Sequence, residues 1–283
     1  GAYDALHENV PEGFELVDAL SPEAYGNLAD CEYLISRLDI DPDIINHTPN
    51  VKFWQRWGAG FDHVDLKAWG ERGIPIATCP GVNSGIVAEL AIMLMLAGYR
   101  NLLQINRQLR AGHWPRTEYF GRSFMIKGKT VGVLGLGHIG KKVAALASAF
   151  GANVIYYDIV RQPEQEEQFG YRFVDFDTLL KESDIFTIHC PLNEETRGMI
   201  GAAQFAKMKP TAMLINTARG PIVDEAALVD ALTTGKIATA GLDTYEHEPL
   251  PKDHPLLTLD NVVASAHAGG NTKDNDINMV NYV

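Results

Sequence analysis

The sequence predicts an α/β protein made of two domains, each built around a parallel sheet. Short apolar runs typical of strands alternate with amphipathic stretches, which is the pattern of strands joined by helices. A length of 283 residues exceeds that of most single domains, and a hydrophobic content of 46% is enough to fill two cores. Pro80 and Gly81 interrupt the alternation and favour a boundary. We therefore predict a smaller domain over residues 1–81 and a larger one over 82–270, with 271–283 beginning a helix that returns to the smaller domain.

The smaller domain is predicted to be an open, flavodoxin-like α/β unit. Its strands are expected at residues 14–17, 33–36, 51–57 and 74–77, and its helices at 22–29, 42–47 and 66–72. Asp41 and Asp65 are suitable N-caps for the last two helices, because a carboxylate can accept from the first free amides of a helix.

The larger domain is predicted to begin with a long helix over residues 84–110 and to continue as a second α/β unit. The most apolar part of this helix is interrupted by Glu89 and is shorter than the roughly 20 residues that a membrane span needs. We therefore interpret it as a buried helix, and its apolar surface suggests a homodimer. Six strands are expected at residues 130–134, 153–157, 184–189, 212–216, 239–243 and 261–266. Six strands with helices between them fit a doubly wound domain.

Composition excludes several classes of function. A formal net charge of −12 disfavours nucleic-acid binding, which needs clustered Lys and Arg. The three cysteines, Cys31, Cys79 and Cys190, are widely spaced and include no CxxC pair, so neither a disulfide framework nor a metal site is predicted. The first residues lack the basic and apolar regions of a signal peptide, and we expect a cytoplasmic protein with no membrane partner.

A glycine-rich turn is the most informative motif. Gly135, Gly137 and Gly140 follow a buried strand at GxGxxG spacing and open an amphipathic helix, after which a second strand ends at Asp158. These glycines permit a tight bend, a close approach of backbone to a pyrophosphate and close helix packing, while the helix N-terminus offers amides to the phosphates. Asp158 would accept hydrogen bonds from the adenosine ribose and repel a 2′-phosphate, which favours NAD over NADP, although Arg161 is a counter-argument. The larger domain is therefore predicted to be a Rossmann domain that binds NAD.

Arg219, Glu248 and His267 each follow a predicted strand of this domain. Ligands of open parallel sheets bind outside the carboxyl ends of the strands, so these side chains are expected at one crevice. An arginine can bind a carboxylate, a histidine can exchange a proton near neutral pH, and a carboxylate can orient that histidine. Glu246 is an alternative to Glu248 as the carboxylate.

The chain resembles the D-isomer-specific 2-hydroxyacid dehydrogenase family. The matching stretches occur in the family's order and are GAGFDHVD (58–65), NSGIVAE (83–89), GVLGLGHIG (132–140), HCPLNEETRGMI (189–200), MLINTARGPIVDEAAL (213–228), GLDTYEHEP (241–249) and SAHAGG (265–270). The resemblance implies an NAD-dependent oxidoreductase that interconverts a small D-2-hydroxy acid and its 2-keto acid by hydride transfer, and it also implies a homodimer.

The resemblance further implies roles for individual residues. Arg219 should bind the substrate's carboxylate and keto oxygen, His267 should be the acid–base, and Glu248 should pair with His267. The backbone amides of Ala59 and Gly60 should also bind the substrate. The residues expected to contact the cofactor are Gly135, Gly137, His138, Ile139, Gly140, Asp158, Pro191, Thr196, Thr217, Ala218, Asp243 and Gly270.

Two alternatives remain open at this point. Phosphonate-type dehydrogenases share the scaffold, whereas formate dehydrogenases carry Gln in place of the Glu. Transcriptional corepressors of the same fold sense NAD and keep the same three residues. The identity of the 2-keto acid is also open, and Trp57, where the family often has a small residue, either alters the substrate pocket or fills the core.

Overall fold

The computed structural model describes residues 2–19, 22–36, 43–62 and 64–283. It divides into two compact units, Gly1–Asn83 with Asn271–Val283 and Ser84–Gly270. In both units the described strands run parallel, and helices lie between them in the chain. The predicted α/β class is confirmed.

The smaller unit contains a three-stranded sheet with the order β1-β2-β3. Its strands are β1 (Tyr33–Ser36), β2 (Phe53–Arg56) and β3 (Ile76–Ala77), and its helices are α1 (Ala2–Glu8), α2 (Ile44–His47), α3 (Leu66–Glu71), α11 (Lys273–Val280) and a 3-10 helix at Pro22–Leu28. Trp54 and Trp69 pack in its core with ring centroids 4.8 Å apart. The predicted cap at Asp65 is confirmed, because its carboxylate accepts from the amide of Ala68 at 2.9 Å, whereas Asp41 lies outside the described residues.

Two predictions for the smaller unit are wrong. Residues 14–17 form no strand, since Phe14 is 58% exposed and an apolar run that is not buried has no sheet to join. The segment predicted as a helix at 22–29 is a 3-10 helix.

Trp57 fills the core, because it is buried in a cluster with Cys79 and Met279.

The larger unit contains a seven-stranded parallel sheet with the order β10-β9-β8-β7-β4-β5-β6. Its strands are β4 (Thr130–Leu134), β5 (Asn153–Tyr157), β6 (Arg172–Phe173), β7 (Ile185–Ile188), β8 (Met213–Asn216), β9 (Thr239–Leu242) and β10 (Val262–Ala264). The chain runs outward from β4 on one side and then crosses over to β7 on the other, which confirms the doubly wound topology and places its switch point between these two strands. The sequence missed β6, which has only two residues.

Helices cover both faces of this sheet. They are α4 (Ser84–Tyr99), α5 (Leu102–Arg110), α6 (His138–Ala149), α7 (Pro163–Phe169), α8 (Phe176–Glu182), α9 (Ala202–Phe205), α10 (Glu225–Thr233), and two 3-10 helices at Gly220–Ile222 and Pro255–Leu257. Helices α4 and α6 share one hydrophobic cluster with the sheet, and α8, α9 and α10 share the other.

The single long helix predicted over 84–110 is instead two helices, α4 and α5, bent by 63°. Asn101 lies at the break with a φ of +51°, a left-handed conformation that asparagine adopts more readily than most residues. Within the described part of the chain, no single helix has the length and apolar character to cross a membrane, although this bent pair meets both criteria when taken together. Leu94 and Met95 of α4 are fully buried within the unit.

Candidate active site

The candidate site lies at the carboxyl edge of the seven-stranded sheet. Because the strands are parallel, the loops after β4, β7, β8, β9 and β10 all leave the sheet at this edge. The predicted residues from Gly135 to Gly270 all lie in or directly after these loops, except Asp158, which follows β5.

The glycine turn after β4 allows only glycine at two positions. Gly135 has a φ of +88°, and a Cβ atom there would lie 2.7 Å from the backbone nitrogen of Cys190 in the loop after β7. A Cβ atom on Gly140 would lie 2.0 Å from the carbonyl oxygen of Gly135. The turn is therefore packed against the neighbouring loop at the topological switch point.

Gly137 faces open space at the start of α6. A Cβ atom there would meet nothing within 4 Å, and no side chain caps the helix. The amides of the first turn, which includes His138 and Ile139, are left for another partner. An open, uncapped helix start next to a close-packed glycine turn fits the pyrophosphate of a dinucleotide.

Asp158 follows β5 and lies beside this turn. Its Oδ2 accepts from the amide of Leu136 at 2.7 Å, and its Oδ1 accepts from the amide of Val160 at 3.2 Å. A carboxylate has about four acceptor positions, so capacity remains for ribose hydroxyl groups.

Glu248 and His267 are brought together by the loops after β9 and β10. Oε2 of Glu248 lies 2.7 Å from Nδ1 of His267. Oε1 of Glu248 accepts from the backbone amide of Tyr245 at 2.9 Å, which fixes the carboxylate. Glu246, the alternative partner, makes no hydrogen bond or salt bridge to His267 within the described part of the chain. The geometry favours Glu248 as the partner.

The loop that carries His267 is held by Asp243. The backbone amide of His267 donates to the carbonyl oxygen of Asp243 at 2.7 Å. The carboxylate of Asp243, which is 1% exposed, accepts from the amides of Ala268 at 2.8 Å and Gly269 at 2.9 Å, and from the hydroxyl of Ser265. Asp243 was predicted as a cofactor contact, and in the structure it anchors the histidine loop.

Arg219 follows β8 on a loop shaped by Asn216. The amide side chain of Asn216 donates to the carbonyl oxygen of Arg219 at 2.9 Å and accepts from the amide of Ala218 at 3.0 Å. The Arg219 guanidinium donates to the carbonyl oxygen of Ala218 at 2.7 Å. The hydroxyl of Thr217, two positions before Arg219, is buried and has no hydrogen-bond partner among the described residues. This hydroxyl is suited to binding a polar ligand.

The Arg219 loop packs directly against the loop that carries Glu248. A Cβ atom on Gly220 would lie 1.8 Å from the carbonyl carbon of Tyr245 and 2.4 Å from the nitrogen of Glu246. Only glycine fits at that approach, so the two loops are fixed relative to each other. The structure thus joins Arg219, Glu248 and His267 through adjoining loops of a single unit.

Three further residues support these loops and were not predicted. Tyr245 donates from its hydroxyl to the carbonyl oxygen of Ser265 at 2.8 Å, and burial raises the pKa of this phenol to about 12, so it stays a donor. Glu225, at the start of α10, is buried and accepts from the amide of Glu246, and its burial raises its pKa. Oε2 of Glu225 lies 3.3 Å from Nε2 of His254.

The loop after β7 holds the remaining cofactor predictions. Thr196 donates its hydroxyl to the carbonyl oxygen of Pro191 at 2.7 Å and accepts from the amide of Asn193 at 2.9 Å, so this hydroxyl stabilises its own turn. At the start of the loop, burial lowers the pKa of His189 to about 3, which keeps this ring neutral.

Ala59 and Gly60 lie in the smaller unit, in the loop after β2. Within the described residues their backbone amides donate to no backbone carbonyl. The carbonyl oxygen of Gly60 accepts from Nε of Arg56 at 3.4 Å, and the carbonyl oxygen of Gly58 accepts from the amide of Cys79 at 2.8 Å.

Comparison with known proteins identifies the family. Residues 92–269 match the family model described as D-isomer specific 2-hydroxyacid dehydrogenase, NAD binding domain. A D-3-phosphoglycerate dehydrogenase of Archaeoglobus fulgidus is 44% identical over 244 residues, which are 86% of this chain but only 46% of that relative. A glyoxylate reductase of Thermofilum pendens is 43% identical over 255 residues, 88% of this chain and 75% of the relative.

A solved structure supports the cofactor as well as the fold. The crystal structure of D-lactate dehydrogenase with NAD+ from Lactobacillus jensenii superposes with a TM-score of 0.76 at 33% identity, over 94% of this chain and 85% of the other. The NAD-binding family model and this NAD+ complex confirm NAD as the predicted cofactor. The chain therefore belongs to the D-isomer specific 2-hydroxyacid dehydrogenase family.

Proposed function

We propose that this protein is an NAD-dependent oxidoreductase that interconverts a D-2-hydroxy acid and the corresponding 2-keto acid. The observation that carries the proposal is the 2.7 Å pair between Nδ1 of His267 and Oε2 of Glu248, on loops that adjoin the loop of Arg219. Two relatives, a glyoxylate reductase and a D-lactate dehydrogenase, support this reaction class.

His267 is proposed as the acid–base. An ionised carboxylate only accepts hydrogen bonds, so Nδ1 of His267 carries the hydrogen in its pair with Glu248, and Nε2 remains to exchange a proton with the substrate. In the reductive direction the imidazolium gives that proton to the keto oxygen, and in the oxidative direction the neutral ring removes it from the hydroxyl. Glu248 orients the ring and stabilises its cationic form.

Arg219 is proposed to bind the substrate. Its planar guanidinium can hold a carboxylate with two parallel hydrogen bonds and polarise the neighbouring carbonyl oxygen. The link between Gly220 and the backbone of Tyr245 would keep this cation at a fixed position relative to Glu248. The participation of Ala59 and Gly60 in substrate binding stays a prediction from the resemblance.

The proposed cofactor contacts lie along the same sheet edge. NAD, when bound, supplies or accepts the hydride at C2 of the substrate. The first turn of α6 would hold its pyrophosphate, and Asp158 would accept from its adenosine ribose. The nicotinamide half would be contacted by residues of the loops after β7, β8, β9 and β10, namely Pro191, Thr196, Thr217, Ala218, Asp243 and Gly270.

A homodimer is also proposed, on different residues from those the sequence suggested. Helix α4 buries most of its apolar side chains within the unit, so it is not the free surface. The segment that follows it exposes large apolar side chains, among them Leu102, Trp114, Phe120 and Met125 at 54%, 79%, 74% and 67%. Large apolar side chains exposed along one segment mark an interaction surface, and a second copy of this chain is the occupant proposed.

A panel of 2-keto acids assayed with NADH tests the reaction. We expect NADH oxidation with at least one small 2-keto acid, such as glyoxylate, hydroxypyruvate or pyruvate, and slower oxidation of NADPH. Reduction of NAD+ by a phosphonate-type substrate without any keto acid reductase activity would favour the phosphonate-type alternative. NADH binding without turnover of any acid would favour a sensor of the corepressor kind.

A further inference from the structure

Arg161 is the cation closest in sequence to Asp158, three positions along the loop after β5. A free arginine beside the adenosine ribose could bind the 2′-phosphate of NADP, because the guanidinium fork matches a phosphate. In the structure the guanidinium of Arg161 is already paired with the carboxylate of Glu166. Nε of Arg161 donates to Oε1 of Glu166 at 2.8 Å, and Nη2 donates to Oε2 at 2.7 Å.

Two aromatic side chains reinforce the pair. The Arg161 guanidinium lies 5.7 Å from the ring centroid of Phe173, within range of a cation–π contact. The hydroxyl of Tyr156 donates to Oε1 of Glu166 at 2.9 Å and accepts from the amide of Gln162 at 2.8 Å. The Glu166 side chain is only 18% exposed, whereas that of Arg161 is 61% exposed, so the carboxylate is the fixed member of the pair.

Hydrogen bonds connect the Arg161–Glu166 pair to the glycine turn after β4. Gln162 donates from its side chain to the carbonyl oxygen of Leu136 at 3.3 Å, and the amide of the same Leu136 donates to Asp158 at 2.7 Å. Hydrogen bonds from Arg161 lower the pKa of Glu166 to about 2, so its carboxylate remains charged at neutral pH. The network therefore connects Glu166 to the residue that would hold the ribose.

We propose that Glu166 is a coenzyme-selectivity residue, which disfavours NADP by holding Arg161 in a two-pronged ion pair and so withholding this cation from a 2′-phosphate. The proposal rests on the proposed placement of the adenosine ribose at Asp158. Asp158 repels the phosphate directly, and Glu166 acts through Arg161. Selection against NADP would then have two separate sources, only one of which touches the cofactor.

Binding titrations with the unlabelled coenzymes test this proposal. Glu166→Gln keeps the size of the side chain and an acceptor for Tyr156 but removes the charge that holds Arg161. Nucleotide fluorescence should show NADPH binding about 2- to 5-fold tighter in this variant, because Arg161 no longer has to leave a partly exposed ion pair before it binds the 2′-phosphate. NADH binding should stay within about twofold, and Glu166→Ala should behave in the same way.

Two controls separate the ion pair from a general change of charge. Glu167→Gln alters the net charge equally on the same helix but at an exposed residue, and it should leave the NADPH-to-NADH ratio unchanged. Arg161→Gln should have little effect alone and should abolish the gain when combined with Glu166→Gln.

The proposal is overturned if Glu166→Gln leaves the ratio unchanged, or if Glu167→Gln shifts it equally. It is also overturned if Arg161→Gln weakens NADPH binding as much in the original protein as in the Glu166→Gln variant, because Arg161 would then already be available. Failure of the original protein to bind NADH would instead remove the proposed nucleotide site, and this inference with it.

Discussion

Asp243 holds His267 through its backbone and holds the two residues that follow His267 through its side chain. The amide of His267 donates to the carbonyl oxygen of Asp243 at 2.7 Å, and the carboxylate of Asp243 accepts from the next two amides in the chain, those of Ala268 and Gly269. His267 itself has a φ of +49°, a left-handed conformation that costs about 1–2 kcal/mol in a residue other than glycine. The hydrogen bonds to Asp243 hold this conformation and so fix the point from which the imidazole projects.

Asp243→Asn should destabilise the larger unit. An amide nitrogen would replace one carboxylate oxygen and leave a buried amide of the histidine loop without an acceptor, which costs about 1–3 kcal/mol. Urea unfolding measures this loss. Ser265→Ala is the matched control, because it removes one donor from the same carboxylate and leaves both amide bonds intact. Equal stabilities of the two variants would refute the anchoring role of Asp243.

Gly220→Ala should damage both stability and turnover. The new methyl group would lie 1.8 Å from the carbonyl carbon of Tyr245, so the loops of Arg219 and Glu248 must separate. We expect a loss of about 1–3 kcal/mol in the free energy of unfolding, together with a lower kcat. Gly85→Ala, in α4 with nothing within 4 Å of the new methyl group, should be tolerated. A Gly220→Ala variant as stable and active as Gly85→Ala would contradict the close approach.

Local patterns predicted the larger unit well. The strand, glycine turn and helix around Gly135 are encoded by neighbouring residues, and each of the six strands predicted there exists within one or two residues at either end. The break at Asn101 was missed, because a continuous polar and apolar pattern does not reveal a single left-handed residue. The two-residue strand β6 is too short to show any periodicity.

The candidate site was predictable in part. The resemblance supplied the pairing of Glu248 with His267, which the geometry supports at 2.7 Å. It did not supply the roles of Tyr245 and Glu225, because each binds a residue 20 or more positions away in the chain, a relationship that no local spacing expresses.

The buried imidazole of His189 should make the protein sensitive to acid. Burial lowers its pKa to about 3 in the folded state, whereas an unfolded chain takes up that proton near pH 6.5. Between these values the unfolded state binds more protons, so folding stability is complete above about pH 6.5 and falls as the pH decreases. Between pH 7 and pH 5, the free energy of unfolding measured in urea should therefore fall less in His189→Gln than in the original protein, by a difference of up to about 2 kcal/mol. Equal losses in both proteins would contradict the buried, neutral histidine.

The exposed apolar segment that follows α4 should control assembly. Light scattering coupled to size exclusion should give twice the chain mass for the original protein. Trp114→Ser combined with Phe120→Ser should shift it to the monomer, because these side chains are 79% and 74% exposed in the isolated chain. Phe14→Ser removes an apolar side chain that is 58% exposed in the smaller unit and should leave the dimer intact. A dimer unaffected by the double substitution would place the interface elsewhere.

The most direct test of the proposed chemistry is the turnover of His267→Gln with NADH and the best 2-keto acid of the panel. Loss of the acid–base should lower kcat by about 10²- to 10⁴-fold, while the Kd for NADH, measured by nucleotide fluorescence, stays within about twofold. Glu248→Gln, which keeps the shape of the partner and removes its charge, should also lower kcat, by a smaller factor. An undiminished kcat in His267→Gln would contradict the account, because the proton would then come from another group.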